Sequence, residues 1–257
     1  MADHALTASC AVSRRALLAA VMVAAAWPRR AGAEWLRDEI VVYADPALRP
    51  VLDAIAAHYP ATLRVFCAAP VQMLGLLAHG TQDDVLISET RFVLQAQGAG
   101  LAAPGAHRLW RNQLALAGRG PAASPAPFSA AGLVAALGDG KLAVPDPGPA
   151  ASVDGMAVLD RLGLTAAFAG RIQGAASTTD ALGMLHTGDA VMALCHVTEI
   201  IADSRVHIAM RVPPTAYDPI EYNAVLTSTA WSRHQDGLIA ALPQAPEAGR
   251  FGLETLA

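Results

Sequence analysis

Residues 80–88 read Gly80-Thr81-Gln82-Asp83-Asp84-Val85-Leu86-Ile87-Ser88. Upstream, Val71–His79 has helical spacing and stops at Gly80, the residue that most easily takes the left-handed turn closing a helix. Asp84–Ser88 is a short apolar run of strand length, and a second helical pattern through Gln97 follows it. Helix, strand and helix within about thirty residues is the unit of an α/β protein whose parallel strands are covered on both faces.

The same alternation extends in both directions. Glu39–Tyr43 and Thr62–Ala68 read as strands around a helix at Arg49–Tyr59, whose Val51, Leu52 and Ile55 share one face. Pro46 and Pro50 suit a turn and a first helical turn, where a missing N–H costs nothing. Gln113–Ala117, Leu142–Val144, Val191–His196, Val206–Val212 and Tyr222–Thr227 read as further strands. Val153–Leu162 and Thr179–His186 read as helices, the latter capped by Ser177 or Thr178 and ended by Gly188. A last helix begins at Pro246, and Pro121–Pro127 reads as a surface loop. Ligands of such sheets bind beyond the carboxyl ends of the strands, where helix N-termini present unpaired N–H groups to anions.

The N-terminus reads as an export signal. Arg14 and Arg15 precede an apolar run from Ala16 to Trp27, too short for a membrane span, which needs roughly 20 residues. Ala31-Gly32-Ala33 offers a cleavage site, and the arginine pair fits the twin-arginine route. Without residues 1–33, fourteen lysines and arginines face 21 carboxylates, a formal charge of −7. That balance speaks against nucleic acid or an anionic membrane as partner, so any anion must be held by a local site. Cys67 and Cys195 remain after export, and sequence leaves open whether they pair. Cys195-His196 with His186 lacks a second close ligand pair, so no metal and no cofactor is expected.

Several segments together resemble the periplasmic molybdate-binding proteins of ABC importers. They are Val42–Leu48, Gly80–Ser88, Arg111–Leu114, Asp146-Pro147, Thr187–Ala190, Tyr222 and Pro246–Ala248, in order over residues 39–253. The resemblance implies a two-lobed type II periplasmic-binding-protein fold, each lobe a mostly parallel sheet flanked by helices. One lobe comprises residues 34–112 and 196–257, the other 113–195, with the chain leaving near Arg111 and returning near Cys195. It implies a small anion, an oxyanion or small carboxylate, held between the lobes, and a membrane permease as partner. Carried over by position, the ligand site falls on Asp45, Ala47, Ala69, Pro70, Ser152, Thr178 and Cys195. Ala47, Ala69-Pro70 and Cys195 stand where the family has serine, serine and tyrosine donors, while Ser152 and Thr178 stand where it uses backbone amides. Asp45 would repel an oxyanion if it pointed into the cleft. Arg111, as a strand-end residue on the hinge side, and His79, beside Gly80, carry bland structural readings, and Tyr217-Asp218-Pro219 reads as a turn. A second class is an isomerase on the same scaffold, resembling aconitate isomerase, with Asp45, Cys195 or His196 as base.

Overall fold

The structure is a computed structural model that describes residues 37–120, 124–146 and 153–256. The export signal and Ser152 lie outside the described residues. Two mixed sheets carry the chain.

The first sheet is seeded by β1 (Ile40–Ala44), which is buried along its whole length, as an apolar β-branched run covered on both faces must be. β2 (Leu63–Cys67) and β3 (Val85–Glu89) pair parallel on either side of it. β10 (Ile220–Leu226) adds antiparallel to β3, β4 (His107–Asn112) to β10, and β11 (Glu254–Thr255) to β4. The order is β11-β4-β10-β3-β1-β2. In the second sheet β6 (Leu142–Pro145) lies parallel between β7 (Ile172–Ala175) and β8 (Met192–His196). β5 (Leu114–Arg119) then pairs antiparallel with β8 and with β9 (Val206–Arg211), in the order β7-β6-β8-β5-β9. Parallel pairing thus holds where helices cross over, and antiparallel pairing where the chain passes between the sheets.

One expectation is corrected here. Residues 206–211 were read with the returning chain in the first lobe, but β9 belongs to the second sheet. The chain re-enters the first sheet at Ile220, not near Cys195. The cause is the pairing of Leu116 with Met210 and of Arg119 with Val206, a long-range match that hydrophobic period alone does not encode.

Helices cover the strands from both sides. α1 (Arg49–Ala56) buries Val51, Leu52 and Ile55, the face read from the sequence. α2 (Pro70–Ala78) and α3 (Thr90–Gly98) bury Met73, Leu77, Val93 and Ala96 against Tyr43, Leu86 and Val225. α4 (Ala130–Leu137) and α5 (Gly155–Arg161) flank the second sheet, starting at the caps Ser129 and Asp154. α6 (Thr178–Thr187) sets Ala181, Leu182 and Leu185 on a floor of small side chains, Ala115, Ala117, Ala143 and Ala193. Its N-cap is Ser177, whose hydroxyl accepts from Asp180 N at 3.1 Å, and Gly188 ends it in the left-handed region. α7 (Val197–Ala202), α8 (Gln235–Ala241) and α9 (Pro246–Arg250) complete the set.

Asp84 ties β1 to the segment that follows β10. Its buried carboxylate accepts from the backbone N–H groups of Val41, Trp231 and Ser232 at 2.8, 2.7 and 2.9 Å and pairs with Arg37. Cys67 and Cys195 are both free thiols. Among the described residues no helix is long and apolar enough to cross a membrane.

Candidate functional site

The carboxyl ends of β1, β7 and β8 lead into helix starts that meet between the two sheets. After β1 the chain makes a tight turn at Pro46–Leu48, held by Asp45, whose carboxylate accepts from Ala47 N at 3.0 Å. This turn packs on α6 and α7 of the other sheet. Asp45, Ala47, Thr178 and Cys195 are therefore drawn together and buried. Cys195 Sγ lies 3.5 Å from the carbonyl oxygen of Thr178. Burial pushes the Cys195 thiol well above its ordinary range, so it stays a neutral, inert group. Ala69 and Pro70 form the start of α2 after β2, with Pro70 buried and Ala69 half-buried.

Glu199, which the sequence reading left aside, and His196, read there as a candidate base, form the centre of this junction. His196, at the end of β8, is buried, with Nδ1 3.0 Å from Thr178 Oγ1 and 3.2 Å from Glu199 Oε2. Glu199, three residues into the turn, also accepts the His196 backbone N–H at 3.1 Å and the Thr179 hydroxyl at 2.6 Å. Burial works against the imidazolium, but the hydrogen bond and charge of Glu199, with the charges of Asp45 and Glu89, outweigh it and raise the His196 pKa. Burial likewise opposes the Glu199 carboxylate, and the His196 partner with the Thr179 and Thr178 hydroxyls brings its pKa down. The pair is ionic. Across from it, Tyr222 on β10 is fully buried, and burial and the charges of Asp45, Glu89 and Glu199 hold its phenol protonated. His196 Nε2 makes no hydrogen bond among the described residues, and the Tyr222 hydroxyl lies beside the Asn112 side chain. A buried ring nitrogen without a partner is costly, which marks His196 Nε2 within this junction. The His-x-x-Glu spacing of residues 196–199 was a legible capping signal for this corner.

Beside the junction lies a cavity of about 370 Å³. Its walls are the first turn of α3 from Glu89, the face of α5 from Asp154 to Arg161, and the segment 217–221 that returns the chain to the first sheet. Tyr217-Asp218-Pro219, read as a plain turn, is thus part of a wall. Arg111 does not line this cavity; it pairs with Glu221 at 2.6 Å, as a strand-end position suits. Among the described residues no three His, Cys, Asp or Glu side chains converge on a point where a metal ion would sit.

Two mixed sheets whose helix starts face one another across a polar junction define a two-lobed binding protein. The family described as bacterial extracellular solute-binding protein matches residues 40–240, and the chain belongs to it. No curated protein matches the chain. Among solved structures, the periplasmic molybdate-binding protein of Azotobacter vinelandii is similar at a TM-score of 0.69 with 20% identity, covering 85% of this chain and 100% of that one. A structure described as the substrate-binding domain of a molybdenum ABC transporter from Clostridium difficile gives 0.62 and 14%, over 85% and 99%. PEB3, with L-phospholactate bound, gives 0.65 and 13%, over 84% and 99%.

Proposed function

We propose that this protein is the exported solute-binding component of an ABC importer and that it holds a small anion, preferably a carboxylate, between its two sheets. The site comprises Asp45, Ala47, Ala69, Pro70, Ser152, Thr178 and Cys195, with His196 as its side-chain donor. The observation that supports this most is His196 Nε2, a buried ring nitrogen with no hydrogen bond among the described residues, at a junction of helix N-termini. Such N-termini favour anions, and an imidazolium adds a charge that the net-acidic chain does not otherwise bring to the site. Molybdate is the poorer candidate. Ala47, Ala69 and Cys195 give no hydroxyls, and each hydrogen bond to a charged group is worth roughly 1.5–3 kcal/mol. A similar fold with L-phospholactate bound accords with an organic anion.

The test is a thermal-shift screen followed by calorimetry with molybdate, phosphate, citrate and cis-aconitate. A ligand at about 100 times its dissociation constant stabilises by roughly 2.7 kcal/mol. Citrate or cis-aconitate should shift the melting temperature and molybdate should not. Submicromolar molybdate with no carboxylate binding would refute the reading. Export by the twin-arginine route with cleavage near Ala33 belongs to the same proposal. Replacing Arg14 and Arg15 by lysine should leave the precursor in the cytoplasm, and normal recovery outside it would remove that route.

A second reading, an isomerase resembling aconitate isomerase, draws on the His196–Glu199 pair, an acid–base group inside a closed junction. It requires a new species in the NMR spectrum of cis-aconitate incubated with the protein, and the binding reading requires none.

A further inference from the structure

A second concentration of charge lies at the far end of the second sheet. β5 runs antiparallel to β8, so Leu114 stands beside His196 at the junction and Gly118 beside Met192 at the other end. Arg119, the last residue of β5, is thus about 17 Å from the junction end of its strand, at roughly 3.4 Å per residue. There Arg119, Gly120, His186 and Arg205 line an open pocket of about 510 Å³. Every ionisable group in that lining is basic, although carboxylates outnumber lysines and arginines in the chain.

Strand pairing brings the two guanidiniums together. Arg119 pairs with Val206 in the β5–β9 ladder, and Gly120 N donates to the carbonyl oxygen of Arg205 at 3.0 Å. Like charges on neighbouring strands repel. Asp203 relieves only one of the two. Its carboxylate accepts from Arg205 Nε and Nη2, both at 2.9 Å, and from the Arg205 backbone N–H at 3.0 Å. It also lies 2.7 Å from His186 Nε2. The Arg205 hydrogen bonds, with the charge of His186, hold the Asp203 carboxyl well below the usual carboxylate range, so it stays an anion. Asp203 thereby fixes the Arg205 fork and leaves Nη1 without a hydrogen bond among the described residues. Arg119 has neither an ion pair nor a side-chain hydrogen bond among the described residues. The C-terminus of α6, beside it, does not take the charge. There Met184 O already accepts from Gly188 N at 3.1 Å and from Ala190 N and Thr187 Oγ1 at 3.2 Å.

The geometry points to a second anion site here: a phosphate group, free or at the end of a small organic molecule, held by Arg119 and by the outward N–H groups of Arg205, with His186 at its edge. Guanidinium forks match two phosphate oxygens at once, and a dianion offsets both cations together. The site lies at the opposite end of β5 from the junction, so it goes beyond the solute-binding reading and does not rest on it.

Backbone-amide NMR on the full-length mature protein, at constant ionic strength, tests it with inorganic phosphate and glycerol 3-phosphate against acetate and chloride. Phosphate should shift the amides of Arg119, Gly120 and Arg205 saturably, and acetate should not saturate over the same range. Tighter binding of glycerol 3-phosphate would name an ester as the ligand, and equal binding the free ion; either supports the site. Arg119→Gln should weaken phosphate about tenfold, the loss of one charge-assisted hydrogen bond or more. Arg119→Lys, which keeps the charge without the fork, should recover part of it. Arg119 is exposed, so these variants should fold, and thermal melts check that they do. Shifts from acetate and chloride equal to those from phosphate would reduce the pocket to a screened patch of charge and overturn the site. So would wild-type phosphate affinity in Arg119→Gln. Phosphate shifts at Thr178 and His196 with none at Arg119 would also overturn it, and would leave anion binding at the junction standing.

Discussion

Glu199 Oε2 lies 3.2 Å from His196 Nδ1 and 3.1 Å from the same residue's backbone nitrogen, so one carboxylate fixes both the ring and the start of α7. The remaining ring nitrogen, Nε2, is left aimed away from this anchor. Glu199→Gln keeps the shape and removes the charge. The His196 pKa should then fall, because burial is no longer offset by its nearest carboxylate. Anion affinity in the wild type should be highest at low pH and decline as pH rises through the raised His196 pKa. In Glu199→Gln that decline should move to lower pH. Calorimetry with citrate from pH 5.5 to 8.5 reads both curves, and superimposable profiles would sink the role given to the pair.

The same pair sets a stability window. His196, with its pKa raised on folding, contributes stability that is complete below its unfolded value of about 6.5 and lost as pH rises through the folded one. Glu199, with its pKa lowered, contributes stability above about 4.3 that is lost as pH falls. The difference in unfolding free energy between wild type and Glu199→Gln should therefore be largest between these limits and shrink toward pH 3. A constant difference across that range would contradict the pairing.

Asp83 gives the opposite sign. It is buried beside Asp84, and burial pushes its pKa up to about 6 against the bonds from Thr227, Thr229 and Thr81. Its Oδ2 makes no hydrogen bond among the described residues. A raised folded pKa means stability present below about 3.9 and lost as pH rises through about 6. Asp83→Asn, which mimics the protonated acid, should raise stability at pH 7.5 by about 1–3 kcal/mol. The gain should vanish by pH 4. A destabilised variant at pH 7.5, in denaturant melts, would show that the carboxylate is needed charged.

How far the sequence reached depends on what each element required. β1, β3 and β8 were legible because strands buried on both faces are continuous apolar runs. The caps Pro50, Ser177 and Gly188 worked because they act within one turn of the chain. β4 escaped because His107-Arg108 and Arg111-Asn112 flank its two buried residues, Leu109 and Trp110, and hide the strand pattern. α4 escaped behind the proline-rich loop, although Ser129 caps it. The meeting of strand ends and helix starts followed from the alternation of the elements. The cavity did not, because Arg91, Arg161 and Asp218 are far apart in sequence and each alone reads as a solvated surface charge.

Gly155 shows how closely α5 is fitted. A Cβ there would meet the carbonyl oxygen of Pro145 at 2.7 Å and Val144 Cβ at 2.9 Å, both parts of β6. The strand is buried and cannot give way, so the helix must move. Gly155→Ala should cost about 1–3 kcal/mol, the usual range for overpacking. Unchanged melting would show that the helix shifts without consequence.

Thr178 is the last position to test, because it separates a hydrogen bond from the fit of the two sheets. It stands at the first turn of α6, is nearly buried, and its hydroxyl oxygen lies 3.0 Å from His196 Nδ1. The Pro46–Leu48 turn of the other sheet packs against the same helix. Thr178→Val removes the hydroxyl and keeps the volume. Its effect should be a modest loss of citrate affinity, about fivefold, in line with roughly 1 kcal/mol for one hydrogen bond. Thr178→Trp adds bulk that cannot fit between α6 and the turn without parting the sheets. Each sheet has its own covering helices, so the protein should still melt cooperatively. The sheets should stand further apart, visible as a larger radius of gyration by small-angle scattering, and citrate should neither bind nor reduce it. If Thr178→Trp binds citrate like the wild type and scatters like it, the ligand does not depend on the meeting of these two surfaces, and the junction is not its site.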